Sequence, residues 1–233
     1  MRTGSNGEGN TGIMGIPLIP IPIIPLFLPG MRLFFCNVPG PPCILPPPMK
    51  LQKLFRLAID AGIAADPRSR AMIAKDLKRV EERHKRLEGK EKEHIDEEQR
   101  WNPYLDSRIL FGTGEEEIRS LMVGIDIETQ ELLLAHELRR KGRKIDAVMF
   151  HHPEGRALAD LEKVMPVQID VLAKAGVPVN QAEGMLRPRM DKIWRSIHAD
   201  NLFRAERAAE LLSIPFFGCH TIADNMVWRF MEE

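Results

Sequence analysis

Apolar positions change their spacing twice along this chain, and each change marks a change of architecture. In the first 48 residues they form runs, and the stretch Ile16-Pro-Leu-Ile-Pro-Ile-Pro-Ile-Ile-Pro-Leu-Phe-Leu-Pro29 meets a proline every two to four residues. Proline fixes φ and removes a backbone donor, so no membrane-spanning helix survives there. The segment reads as a disordered or extended apolar tail. From residue 49 to residue 100 the spacing becomes helical, with Leu51, Leu54, Phe55, Ala58 and Ile59 on one face. Gly62 can end that helix, and Asp66-Pro67 restarts one with proline at its first position. Beyond Leu77 the apolar positions thin to Val80, Leu87 and Ile95 among mixed charges, the pattern of a solvated helical arm. Trp101-Asn-Pro-Tyr-Leu-Asp106 breaks it.

From residue 108 onward short apolar runs alternate with helical periods. Strands are expected at 121–128, 145–150, 177–180 and 214–219, and helices at 130–141, 157–175, 188–212 and 222 to the end. Strands separated by helices need crossover connections, so the fold class is α/β, a largely parallel sheet with helices on both faces. The domain reading is a tail over 1–48 and one α/β domain over 49–233, divided into a helical opening (49–106) and the α/β core (107–233). Met49-Lys50 opens an amphipathic stretch and reads as the true start, with the tail as a misplaced one. The last helix carries Ala223, Met226, Val227, Phe230 and Met231 on one face with no capping glycine after it, so the domain reads as incomplete at its C-terminus.

Composition narrows the function. The chain holds 33 Lys plus Arg against 33 Asp plus Glu, which removes the long-range field of a nucleic-acid or anionic-membrane binder. Cys36, Cys43 and Cys219 are too scattered for a disulfide framework or a paired-cysteine zinc site, in keeping with a reducing cytoplasm. Gly112-Thr-Gly114 leads into three glutamates that would repel a phosphate, and no phosphate loop or nucleophile elbow occurs.

The chemistry gathers where strands end, the edge at which parallel sheets collect ligands. The second expected strand finishes in Phe150-His151-His152-Pro153-Glu154-Gly155, and the fourth in Cys219-His220-Thr221-Ile222-Ala223-Asp224. Two imidazoles leaving a strand together can each reach one ion of a pair about 3.5–4 Å apart. His and Asp suit Zn, Mn, Fe or Co. Cys219 reads as core rather than ligand. Asp126, ending the first strand, reads as a cap or loop-bonding group ahead of a role in orienting a ligand. His84, His94 and His136 fall among helix charges and read as exposed, and His198 has no partner at ligand spacing.

Taken in order, Gly124-Ile-Asp-Ile-Glu128, Asp146-Ala-Val-Met-Phe-His-His-Pro153 and Ile214-Pro-Phe-Phe-Gly-Cys-His-Thr-Ile-Ala-Asp224 resemble the Nif-three-like family of dinuclear metal-centre proteins, also known as type 2 GTP cyclohydrolase I. The helical opening and Trp101-Asn-Pro-Tyr104 resemble its archaeal-type branch. The resemblance implies that His151 and His152 each ligate one of two divalent ions and that Asp224 is also a ligand. His220 lies beside the centre and is the expected proton-transfer group. It further implies a Nif-three-like fold, a homo-oligomer (a hexamer in the family), and a metal-dependent hydrolase using a metal-bridging water on a small or nucleotide-like substrate. The alternative it leaves is a non-enzymatic metal-binding or regulatory interaction protein whose partner meets the charged arm from Asp76 to Arg100. The family's later His and Glu ligands have no counterpart here, so binding of both ions is expected to be incomplete. Neither a membrane nor a specific nucleic acid is expected as partner.

Overall fold

A computed structural model describes residues 47–93, 95–198 and 201–233. The expected tail therefore lies outside the described residues except at Pro47 and Pro48. The chain enters through a two-residue strand β1 (Met49–Lys50) and continues as α1 (Leu51–Ala65), α2 (Arg70–Arg86), a single turn α3 (Lys90–Glu93) and a 3-10 turn over Glu97–Arg100. Ser69 starts α2 by accepting a hydrogen bond from the Met72 N–H at 3.3 Å, a conventional N-cap. Two short strands follow, β2 (Ile109–Phe111) and β3 (Glu117–Ile118), then β4 (Leu121–Gly124), α4 (Thr129–Arg140) and β5 (Ala147–Phe150). The remainder is α5 (Gly155–Ala159), α6 (Leu161–Val164), α7 (Val167–Lys174), α8 (Val179–Ile197), α9 (Arg204–Leu212), β6 (Phe216–Gly218) and α10 (Thr221–Glu232).

The main sheet has the order β2-β6-β5-β4, with β4, β5 and β6 parallel and β2 antiparallel on the edge beside β6. β1 pairs separately with β3. Side-chain alternation divides the core. Ala147, Met149 and Phe217 face α1 and α10, packing with Leu51, Phe55, Ile59 and Ile222. Val148, Phe150 and Phe216 face the other way, against Leu132 and Ala135 of α4 and Ala205 and Ala209 of α9. The α/β class with a largely parallel sheet covered on both faces is thus observed.

Several expected boundaries are corrected. Residues 177–180 form no strand, because Pro178 (φ −57°) is the N-cap of α8 and turns Val179 and Asn180 into its first residues. The single helix over 157–175 is three short ones, interrupted at Asp160 and at Pro166, which precedes α7. The long helix over 188–212 is instead α8 and α9, and Pro188 sits inside α8 rather than at its start. The carbonyl of Gly184, four residues earlier and the one that loses its partner, lies on an exposed stretch where water can replace the missing donor. His84, expected in solvent, is buried on α2.

Candidate metal centre

The three parallel strands end level with one another. Gly124 pairs with Phe150, and Phe150 with Gly218, so whatever follows these residues emerges side by side. The backbone fixes the exit: His152 N–H donates to the Ile125 carbonyl at 2.8 Å, and Cys219 N–H to the Phe150 carbonyl at 3.1 Å. Glycine is needed at two points of this edge. A Cβ on Gly218 would collide with the Phe150 ring, and Gly155, at φ +53°, turns the chain after the His-His-Pro-Glu run with Glu206 against it.

This register brings three imidazoles together. Ring centroids lie 5.1 Å apart for His151 and His152, 5.0 Å for His151 and His220, and 6.2 Å for His152 and His220. Each ring has its Nδ1 engaged by an oxygen. His151 Nδ1 lies 3.3 Å from the Cys219 carbonyl, His152 Nδ1 2.7 Å from Asp126 Oδ1, and His220 Nδ1 3.0 Å from Asp106 Oδ2. Asp224, in the first turn of α10, places Oδ1 3.6 Å from His151 Nε2 and Oδ2 3.8 Å from His220 Nε2.

Two members of this constellation escape a reading of the histidines alone. Asp126 does not cap α4, whose start is held by reciprocal bonds between Glu128 and Glu131; it holds the His152 ring instead. Asp106 is 1% exposed and accepts from the Ser107 hydroxyl (3.1 Å), the Thr221 hydroxyl (2.5 Å) and His220. Ser107 in turn accepts from the His220 backbone N–H at 2.9 Å. The signal for Asp106 in the sequence is only its place at the end of the helix-breaking Trp101 stretch.

The electrostatics follow. Burial favours neutral His220, but the hydrogen bond to Asp106 and the charges of Asp106 and Asp224 outweigh it and raise its pKa above the ordinary imidazole value. Burial and then the neighbouring charge of Glu128 push Glu154 up to about 7. Burial pushes the Cys219 thiol up to about 12, so Cys219 stays a core thiol and contributes only its carbonyl, as expected.

The donor types are those of a divalent ion of the borderline class: imidazoles whose second nitrogen is held by a carboxylate or a carbonyl, beside a carboxylate. With bonds of about 2.0–2.2 Å, two tetrahedral donors stand about 3.3–3.6 Å apart, close to the His151–Asp224 separation. Among the described residues no group of three or more His, Cys, Asp or Glu side chains is placed to hold a metal ion, so the donors are neighbours rather than an assembled ligand set. His198 is elsewhere, with Nδ1 on the Trp194 carbonyl at 2.8 Å. No helix of the described residues is long and apolar enough to cross a membrane.

No family model matches the chain. No curated protein matches it either. Among solved structures it is similar to the crystal structure of a NIF3 superfamily protein from Sphaerobacter thermophilus, with 24% identity and a TM-score of 0.49. That match covers 68% of this chain, and the chain spans about half (50%) of the solved structure's length.

Proposed function

We propose that the chain is a dinuclear metal-binding protein of the Nif-three-like kind, acting as a metal-dependent hydrolase. The observation that carries this reading is the shared edge at which His151, His152 and His220 each have Nδ1 engaged by an oxygen, with Asp224 against two of the Nε2 atoms. Imidazoles held through one nitrogen by a carbonyl or carboxylate are oriented to coordinate through the other. His151, His152 and Asp224 would hold the ions, with His151 and His152 serving one each. Bound there, divalent ions would supply Lewis acidity toward a carbonyl or phosphoryl oxygen.

The chain's own residues do the rest. Asp126 fixes the His152 ring, and the Cys219 carbonyl fixes that of His151. Asp106 accepts the Nδ1 proton of His220, which leaves Nε2 as the basic nitrogen facing the edge. With its pKa raised by Asp106 and Asp224, His220 can take a proton at neutral pH and return it to a leaving group. The archaeal-type branch and assembly into a homo-oligomer belong to the same proposal and rest on the sequence resemblance, and a cytoplasmic site rests on the scattered cysteines.

The experiment is turnover of a panel of small esters, amides and nucleotides by metal-stripped and metal-reloaded protein. Activity that returns with Zn, Mn, Fe or Co and is lost in His220→Gln at unchanged metal content supports the hydrolase. Metal retention without turnover of any member would favour the interaction-protein alternative.

A further inference from the structure

A cavity of about 410 Å³ opens directly beside His220 and Asp224, between α10 and the α6–α7 segment. Its floor is Asp106, His220, Thr221, Asp224 and Asn225. Its walls are Leu161, Val164, Met165, Val171, Leu172 and Trp228. Among the described residues no Lys or Arg lines it. The hollow on the far side of Pro67 does hold cations, but each is engaged: Arg68 by Asp66, Lys174 by the Pro67 carbonyl, and Arg229 by Glu233. The acidic groups of the floor are engaged as well, Asp106 by His220 and Thr221, and Asp224 against His151 and His220.

We propose that this cavity is the substrate pocket of the centre and takes an uncharged aromatic or branched-aliphatic group, holding the reacting bond over His220 and Asp224. The proposal rests on the reading of those side chains as the reacting site. A phosphate-bearing nucleotide, allowed by the sequence, meets no Lys or Arg among the described lining residues, and apart from an ion at the neighbouring centre its charge would enter an apolar cleft without a partner, which is strongly unfavourable. An apolar ring loses water on entering and gains contacts with Trp228 and the branched side chains. An enclosed cavity of about 150 Å³ holds one benzene, so an open cleft of about 410 Å³ has room for a bicyclic ring and its amide.

The probes are 2-naphthamide and 2-naphthyl phosphate, titrated by calorimetry into protein stripped with a chelator, so that an ion cannot recruit the phosphate. The amide should bind saturably and at least tenfold more tightly than the phosphate. Trp228→Ala and Val171→Asp should weaken the amide tenfold or more at unchanged unfolding midpoints, and Gln168→Lys, which adds a cation at an exposed position of the wall, should narrow the preference. Equal or tighter binding of the phosphate to the wild type would overturn the proposal, as would amide binding unchanged in both wall variants. Metal content, read on the same protein after reloading with Zn²⁺ and gel filtration, keeps the two claims apart: amide binding by protein that retains no metal removes the metal reading and leaves the pocket, and metal retention without amide binding does the reverse.

Discussion

Replacing Asp106 by alanine tests how the edge is held together. Its carboxylate is almost fully buried and accepts from Ser107, Thr221 and His220. Alanine leaves three donors without their carboxylate acceptor at the floor of the cavity, where water replaces it only in part. A hydrogen bond to a charged acceptor contributes about 1.5–3 kcal/mol. The losses overlap, because His220 is partly exposed and its ring can turn toward water, so a net cost of about 3 kcal/mol is expected rather than the sum. For a domain of this size that is a drop of about 6–12 °C in Tm. Urea denaturation at neutral pH measures it directly, with Asp106→Asn, which keeps one acceptor oxygen, expected at about half the cost. Because Asp106 acts through His220, the same change should also lower turnover at unchanged metal content. A cost below about 1 kcal/mol for the alanine variant would refute the view of Asp106 as the acceptor that ties β2, β6 and α10 together.

Other outcomes follow from the same geometry. Gly218→Ala should cost about 3 kcal/mol by urea denaturation, because its methyl would collide with Phe150 in a closed core. Arg108→Ala should cost about 3 kcal/mol, since the fully buried guanidinium lies 2.7 Å from Asp96 and 3.3 Å from Asp160, and its loss leaves Asp96 without its cation and Asp160 with Lys163 alone. Burial alone would raise the pKa of Asp66, but hydrogen bonds from Arg68 and Tyr104 reverse this and lower it. Its contribution is therefore present above the ordinary carboxylate pKa of about 4 and disappears as pH falls through the lower folded value. Stability measured from pH 5 downward to about 2 should fall less steeply for Asp66→Asn than for the wild type.

Much of this was readable in the chain. α1, α2, α4 and α10 carry helical spacing, and the apolar runs 121–128, 145–150 and 214–219 contain the three parallel strands, which stop at Gly124, Phe150 and Gly218. Their level ends made His151, His152, His220 and Asp224 neighbours, as the sequence order implied. The failures have physical causes. β1, β2 and β3 are two or three residues long, too short to show alternation. Val177-Pro-Val-Asn180 has strand-forming residues, yet Pro178 sets the angle from which a helix starts. Asp106 lies 114 residues before its partner His220, on the approach to an edge strand, and only the folded register shows what it accepts from. Asp126 read most simply as a cap because its local sequence offers a helix to cap; the imidazole it holds comes from the next strand.

The central claim is that His151, His152 and Asp224 hold divalent metal, and calorimetric titration of Zn²⁺ into the chelator-stripped chain tests it most directly. The titration is run above pH ~7, where protons compete less with the metal for its ligands. The account predicts saturable binding that weakens at least tenfold in each of His151→Ala, His152→Ala and Asp224→Ala and is unchanged in His198→Ala. Absence of saturable binding, or equal binding by the Asp224→Ala variant, would contradict it.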